Sequence, residues 1–565
     1  MKYLCVLAWL SATLAATVTY NWDINWVEAA PDGFKRPVIG INGQWPCPTI
    51  EANLGDTIIV HVYNGLVNET TGIHFHGQTQ TGTGTMDGPS GVNQCSIPPG
   101  GTFTYNFTAN PAGSFWYHSH NKGQYPDGLR GPLIIHDPKD VYAGSYDEEL
   151  TLTLSDWYYK QMPVMLPLYL NPDNSAGVEP APNSTLVNDS QNITFAITPG
   201  KTYRLRVISV GNFVGQIFEV EDHEMTIIAV DSVPVHQAST SSIYVSVGQR
   251  FDVLFTAKPT ATKNYFFISS IDQSMIGGDF EITYPNAYGY LVYNPKPPLP
   301  AVYQPTFSWI DDFTLVPYDN EPILGTVDHQ IVINMNFTND AYDINRAVIN
   351  GQTYVTQIVP SLYTVLSAPA VDVMNPLIYG NGSNPFVVQY DQVVEIVINN
   401  YDTGSHPWYM HGHQFQVVYR GAMDTPFWDG TQPVSAIPVR RDVVMVNTMA
   451  SAVWRFKANN PGVFLIHCHI EWHVEAGLQA TLFEAPDHLQ GALTIPADHL
   501  KVCKTDNTPT VGNAAGNSKN WLDLAGAPVV APRYDYGSLV TPPATAKMLR
   551  SRADMRARQE MSSWP

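Results

Sequence analysis

The run Phe464-Leu465-Ile466-His467-Cys468-His469-Ile470-Glu471-Trp472-His473 sets three histidines and one cysteine within seven residues, directly behind an apolar stretch. On a strand, successive side chains point to opposite faces. His467 and His469 therefore face one way and Cys468 the other. One thiolate addresses one metal centre while its two covalent neighbours address a second, which makes a short through-bond path between two sites. A thiolate with imidazoles suits copper, and a cysteine with two histidines is the blue-copper ligand pattern.

Three more clusters supply ligands: His74-Phe75-His76-Gly77, Trp116-Tyr117-His118-Ser119-His120 and His406-Pro407-Trp408-Tyr409-Met410-His411-Gly412-His413. Each of the four clusters holds a His-x-His pair, a spacing that aims both imidazoles at one side of a strand. One such pair alone is usually chance or a satisfied core histidine. Four pairs, two near each end of the chain, point to metal. Zinc takes four ligands per structural site. Eight paired histidines, with His406, His473 and Cys468 besides, fit a coupled redox cluster better, because Cys468 is bonded between two ligand histidines.

The rest of the chain suits such a cluster. Its 565 residues allow about three or four domains. With 14% charged residues, 44 prolines and 41 glycines, it reads as turn-rich and all-β. A formal net charge of -21 argues against nucleic acid as a partner and favours cationic or neutral substrates. Short alternating strands such as Thr57–Tyr63 and Thr102–Phe107, separated by turns such as Asp87-Gly88-Pro89, predict β-sandwiches. The expected divisions are 1–16, 17–140, 141–295, 296–510 and a tail over 511–565. The proline-dense segment from Tyr293 to Pro300 serves as a stiff linker.

Lys2, the apolar residues Tyr3 to Leu10 and the small pair Ala15-Ala16 read as a secretory signal over 1–16. Sequons beginning at Asn68, Asn106, Asn183, Asn188, Asn192, Asn336 and Asn381 fit a secreted glycoprotein. Past the leader, no run reaches the roughly 18 apolar residues of a membrane span, so a free chain is expected. Of five cysteines, Cys5 leaves with the leader and Cys468 is a ligand. Cys47, Cys95 and Cys503 leave one disulfide and one thiol, with the pairing open.

The four histidine motifs, in this order and at these separations, resemble the multicopper oxidase family across nearly the whole mature chain. The resemblance implies three consecutive cupredoxin-like β-sandwich domains, a mononuclear blue copper in the third, and a three-copper cluster between the first and third. It assigns His406, Cys468 and His473 to the blue copper, with Leu478 at the axial position. It assigns His74 and His411 to a lone type 2 copper, and His76, His118, His120, His413, His467 and His469 to a type 3 pair. Electrons from the reductant pass through Cys468 to His467 and His469, and dioxygen is reduced to water. Asp87 and Glu471 match acidic residues that relay protons. The resemblance also pairs Cys95 with Cys503 and leaves Cys47 free.

Asp222-His223-Glu224-Met225-Thr226 and Asn460-Pro461-Gly462-Val463 are similar to fungal iron-uptake ferroxidases, in which carboxylates beside the blue copper bind Fe(II). Glu179 and Asp402 match two of these. Gly277 stands where the third is expected, with Asp272 and Asp279 nearby. Those ferroxidases carry a membrane anchor after the third domain, and none is expected here. The expectation is therefore a secreted, monomeric, laccase-like oxidase of phenols, with Phe427 and Trp428 lining an organic pocket. Ferroxidase activity is the alternative, and a copper-binding protein without turnover is the alternative of another class.

Overall fold

The computed structural model describes residues 15–278, 280–294, 296–533 and 536–537. Residues 1–14, which hold most of the expected secretory signal, Asp279, and Arg550, Arg552, Arg556 and Arg558 of the expected tail lie outside the described residues.

Strands form where the sequence alternates. His329–Asn339 buries Ile331, Ile333 and Met335 and exposes the residues between them, the period-two pattern of a sheet with one wet face. The strands that carry the site motifs behave differently. Ile73–His76, His406–Met410 and Gly462–Cys468 are buried at every position, because both of their faces are covered.

The strands assemble into six sheets, two in each third of the chain. Residues 17–136 form two four-stranded sheets, while residues 148–292 and 329–484 each form a six- and a five-stranded sheet. The architecture is three cupredoxin-like sandwiches, as expected. The disulfide Cys95–Cys503 staples the first sandwich to the helix Ala497–Thr505 beyond the third. Cys47 is a buried free thiol, and burial pushes it up to about 12, so it stays protonated and inert.

Two register facts set the site. In the first sandwich, His74 lies directly opposite His118 on antiparallel strands. In the third, Tyr409 lies opposite His467, and Trp408 lies opposite Cys468. Directly opposed residues share a face. Tyr409 and His467 therefore look out together, and Trp408 and Cys468 look the other way. Trp116, Trp408 and Trp472 are fully buried around these strands.

Asn106, Asn192, Asn336 and Asn381 are exposed. Asn68, Asn183 and Asn188 are half-buried, and their amide oxygens accept from Trp26, Tyr159 and Thr153. Among the described residues, no helix is long and apolar enough to cross a membrane.

Candidate metal centres

The first centre is local to the third sandwich. His406 opens one strand, Cys468 ends its neighbour, and His473 lies on the short helix Glu471–Ala476 that follows. The Cys468 sulfur is 3.8 Å from His406 Nδ1 and 3.5 Å from His473 Nδ1, and the two nitrogens are 3.0 Å apart. All three residues are buried. Burial alone would raise the Cys468 thiol, but His473 and His406 outweigh it and bring it down to about 7. Leu478 is fully buried at this end of the strand pair.

The outer nitrogens of the two imidazoles meet carboxylates. His406 Nε2 is 3.1 Å from Asp402 Oδ2, and His473 Nε2 is 2.8 Å from Glu179 Oε1. Burial would raise the Asp402 carboxyl, but the bond to His406 outweighs it and holds it below the usual carboxylate range. Burial would lower His473, yet Cys468 and Glu179 raise it to about 10. The Asp402 and Glu179 side chains keep 27% and 22% exposure, enough to present an oxygen to solvent.

A side-chain carbon at Gly277 would meet Val178 at 3.8 Å. Asp272 is engaged with Tyr244 and Ser274. Phe427 packs on Tyr401, next to Asp402 in sequence, with ring centres 4.4 Å apart, while Trp428 packs on Tyr419.

The second centre lies between the first and third sandwiches. His120, His411 and His467 converge, as do His74, His76 and His118. His469 joins the second group, with Nε2 3.2 Å from His76 Nδ1. Nearly every ring is tethered from outside. His118 donates Nδ1–H to the Ser119 carbonyl, His467 to the Cys468 carbonyl and His74 to the Asp87 carbonyl. His411 Nδ1 is 2.9 Å from the Asp87 carboxylate. His76 Nε2 lies 3.1 Å from Arg250 Nη1, and that guanidinium is clamped by both Asp442 oxygens at 2.6 Å. Outer partners of this kind fix ring orientation at metal sites.

These tethers test whether the residues fit a metal. A carbonyl oxygen only accepts, so His467 carries its proton on Nδ1 and leaves Nε2 bare. His411, donating Nδ1–H to Asp87, does the same. The two bare nitrogens then face each other across 3.1 Å. Burial pushes His467 down to about 4, and it pushes His411, His120, His118, His76 and His469 well below the ordinary histidine range. Protonation therefore does not relieve the opposed lone pairs, and a cation does. Two nitrogens each about 2 Å from one ion stand about 3–4 Å apart. His118 Nε2 and His469 Nδ1 also have no hydrogen-bond partner. The residues fit metal ions, and imidazole donors beside a buried thiolate fit copper.

His413 is not in this cluster. Gly412 turns the chain at φ 74°, and His413 Nε2 comes to 2.8 Å from buried Glu484 Oε2, at an angle too poor for a hydrogen bond. Burial would lower His413, and Glu484 raises it. Tyr409 stands inside the cluster instead. Its oxygen is 3.1 Å from His74 Nε2 and accepts the Gly77 N–H, and its ring stacks on His76 at 3.9 Å.

Both carboxylic acids expected to relay protons are buried here. Asp87 bridges His74 and His411. Glu471 is held by its N–H to the Asn212 carbonyl, and burial raises its carboxyl well above the ordinary range. A cleft of about 410 Å³ reaches Glu471 and His120, with Glu475 and Arg346 also on its wall.

Comparison with known proteins agrees with this geometry. Three multicopper oxidase family models match residues 23–140, 148–296 and 354–488. The iron transport multicopper oxidase fetC of Epichloe festucae is 46% identical over 524 residues, covering 91% of this chain and 83% of that protein. The crystal structure of Fet3p, a multicopper oxidase that functions in iron import, matches with a TM-score of 0.87 at 39% identity, covering 90% of this chain and 98% of that one. The laccase of Botrytis aclada matches with a TM-score of 0.76 at 28% identity, covering 87% of this chain and 92% of that one. The chain belongs to the multicopper oxidase family, copper-dependent oxidoreductases that use dioxygen as electron acceptor.

Proposed function

We propose that this oxidase is a ferroxidase, secreted or held at the cell surface, that oxidises Fe(II) to Fe(III) one electron at a time. The observation that carries this reading is the pair of carboxylates on the outer nitrogens of His406 and His473, at 3.1 and 2.8 Å. Hard carboxylate oxygens prefer Fe(III) over Fe(II), which makes iron bound there a better donor. The relatives named for iron transport support the same substrate over the phenols expected from the sequence.

Copper, when bound, supplies one-electron redox chemistry at the Cys468 centre and reduction of dioxygen to water in the histidine cluster. His406, Cys468 and His473 hold the first of these positions, and His76, His118, His120, His411, His467 and His469 line the second. Glu179 and Asp402 bind the iron substrate and orient the imidazoles beneath it. Cys468 is bonded to His467 and His469, so an electron reaching the sulfur has a covalent path inward. Glu471, which lines the same cleft as His120, carries protons toward it. Asp87 holds His74 and His411 with their inward nitrogens bare.

Steady-state oxidation of Fe(II) and of a phenol panel, in the natural protein and in Glu179→Ala with Asp402→Ala, tests the reading. Iron oxidation falls and phenol oxidation is spared. No change with either substrate would reduce the two carboxylates to bystanders, and equal losses on both would leave them only as supports of the imidazoles. One observation favours phenols as a second substrate class: Phe427 packs on Tyr401, the residue before Asp402.

A further inference from the structure

The cluster is built from residue pairs two apart on strands, whose side chains share a face. His74-x-His76, His118-x-His120 and His467-x-His469 are three of these pairs. The fourth is not His411-x-His413, because His413 turns away to Glu484. It is Tyr409-x-His411. Tyr409 lies opposite His467 on the neighbouring strand, so strand geometry aims its phenol at the cluster face.

Four pairs of donor atoms in the protein stand at nearly one spacing. His406 and His473 nitrogens are 3.0 Å apart, His411 and His467 3.1 Å, and His76 and His469 3.2 Å. The fourth pair is His74 Nε2 with Tyr409 Oη, at 3.1 Å. His411 offers one inward nitrogen, and it is spent on the His120–His467 group. His74 Nε2 has the phenol oxygen at 3.1 Å, in a group that also brings His76 and His118 near it.

We propose that His74 Nε2 and the phenol oxygen of Tyr409 together hold one copper ion, which makes this position a mixed imidazole–phenolate site. The inference rests on the copper reading above and changes the ligand pair expected from the sequence, His74 with His411. Metal binding displaces the phenol proton, and the resulting negative oxygen offsets charge in a cluster whose other donors are neutral imidazoles. The Gly77 N–H donates to that oxygen and fixes its position beside His74.

Copper content, electron paramagnetic resonance and visible absorption of the copper-loaded full chain test the proposal. The natural protein shows, beside the blue signal, a second non-blue Cu(II) signal and a phenolate-to-copper charge-transfer band. Tyr409→Phe keeps the ring stacked on His76 but loses one copper per chain, the non-blue signal and that band, while its blue absorption is unchanged. Tyr409→His restores the copper and the non-blue signal without the band. Unchanged copper and spectra in Tyr409→Phe, or a natural protein already one copper short, would overturn the proposal. A natural protein with no blue colour would instead strike the copper reading itself.

Discussion

The two candidate centres differ in how they are assembled. His406, Cys468 and His473 come from one sandwich and lie within 4.8 Å of one another through local strand pairing. The histidine cluster draws on strands of the first and third sandwiches, and the second contributes Arg250 behind His76. One centre forms wherever the third domain folds. The other exists only when three domains dock. The first meets solvent through Asp402 and Glu179, whereas the second is tied inward by carbonyls, Asp87 and a buried ion pair.

The largest expected effect comes from cutting the connection between them. Cys468→Ser abolishes the blue absorption and turnover together, while metal analysis still finds copper in the histidine cluster. Next is Arg250→Leu. Burial already raises the Asp442 carboxyl to about 6 against the pull of Arg250, so without that partner it takes up a proton and the buried clamp behind His76 is lost. Copper in the histidine cluster falls and the blue band survives, read by metal analysis and absorption on one sample. Loss of both centres in parallel would erase the distinction between local and docked assembly.

Smaller effects follow at the edges. Glu179→Ala with Asp402→Ala lowers kcat/KM for Fe(II) about 10- to 100-fold, the usual scale for partners of metal ligands, and leaves the cluster's copper intact. Asp312 gives the smallest effect. Burial would raise its carboxyl, but Arg420 and Arg441 hold it down at about 2. Its pairing therefore stabilises the fold above the unfolded carboxyl value and fades as pH falls toward 2. Asp312→Asn lowers stability by about 2 kcal/mol at neutral pH. The deficit shrinks as denaturation is repeated at decreasing pH, and a constant deficit would mean the ion pair contributes nothing.

The sandwiches and three of the His-x-His pairs were legible because strand alternation is a local property. The fourth was not, because the structure sets His413 against Glu484 and not with the other histidines. Nothing local reveals that the strand ends at Met410, or that Glu484 waits to take His413. Tyr409 was visible at the right spacing from His411, but a search for histidines alone passes over it. Arg250 and Asp442 are 192 residues apart, and neither carries a motif. Glu179 and Asp402 came from family resemblance, and the structure brings both to the blue-site imidazoles. Of the two aspartates near Gly277, Asp272 is engaged with Tyr244 and Ser274, and Asp279 lies outside the described residues.

The most direct test of two joined centres is an anaerobic titration of the copper-loaded chain with Fe(II), followed at the blue absorption and then exposed to dioxygen. The account predicts uptake of more than one electron per blue centre, and rapid return of the colour when dioxygen is admitted. Uptake of a single electron, with colour that does not return, would leave Cys468 wired to nothing and contradict it.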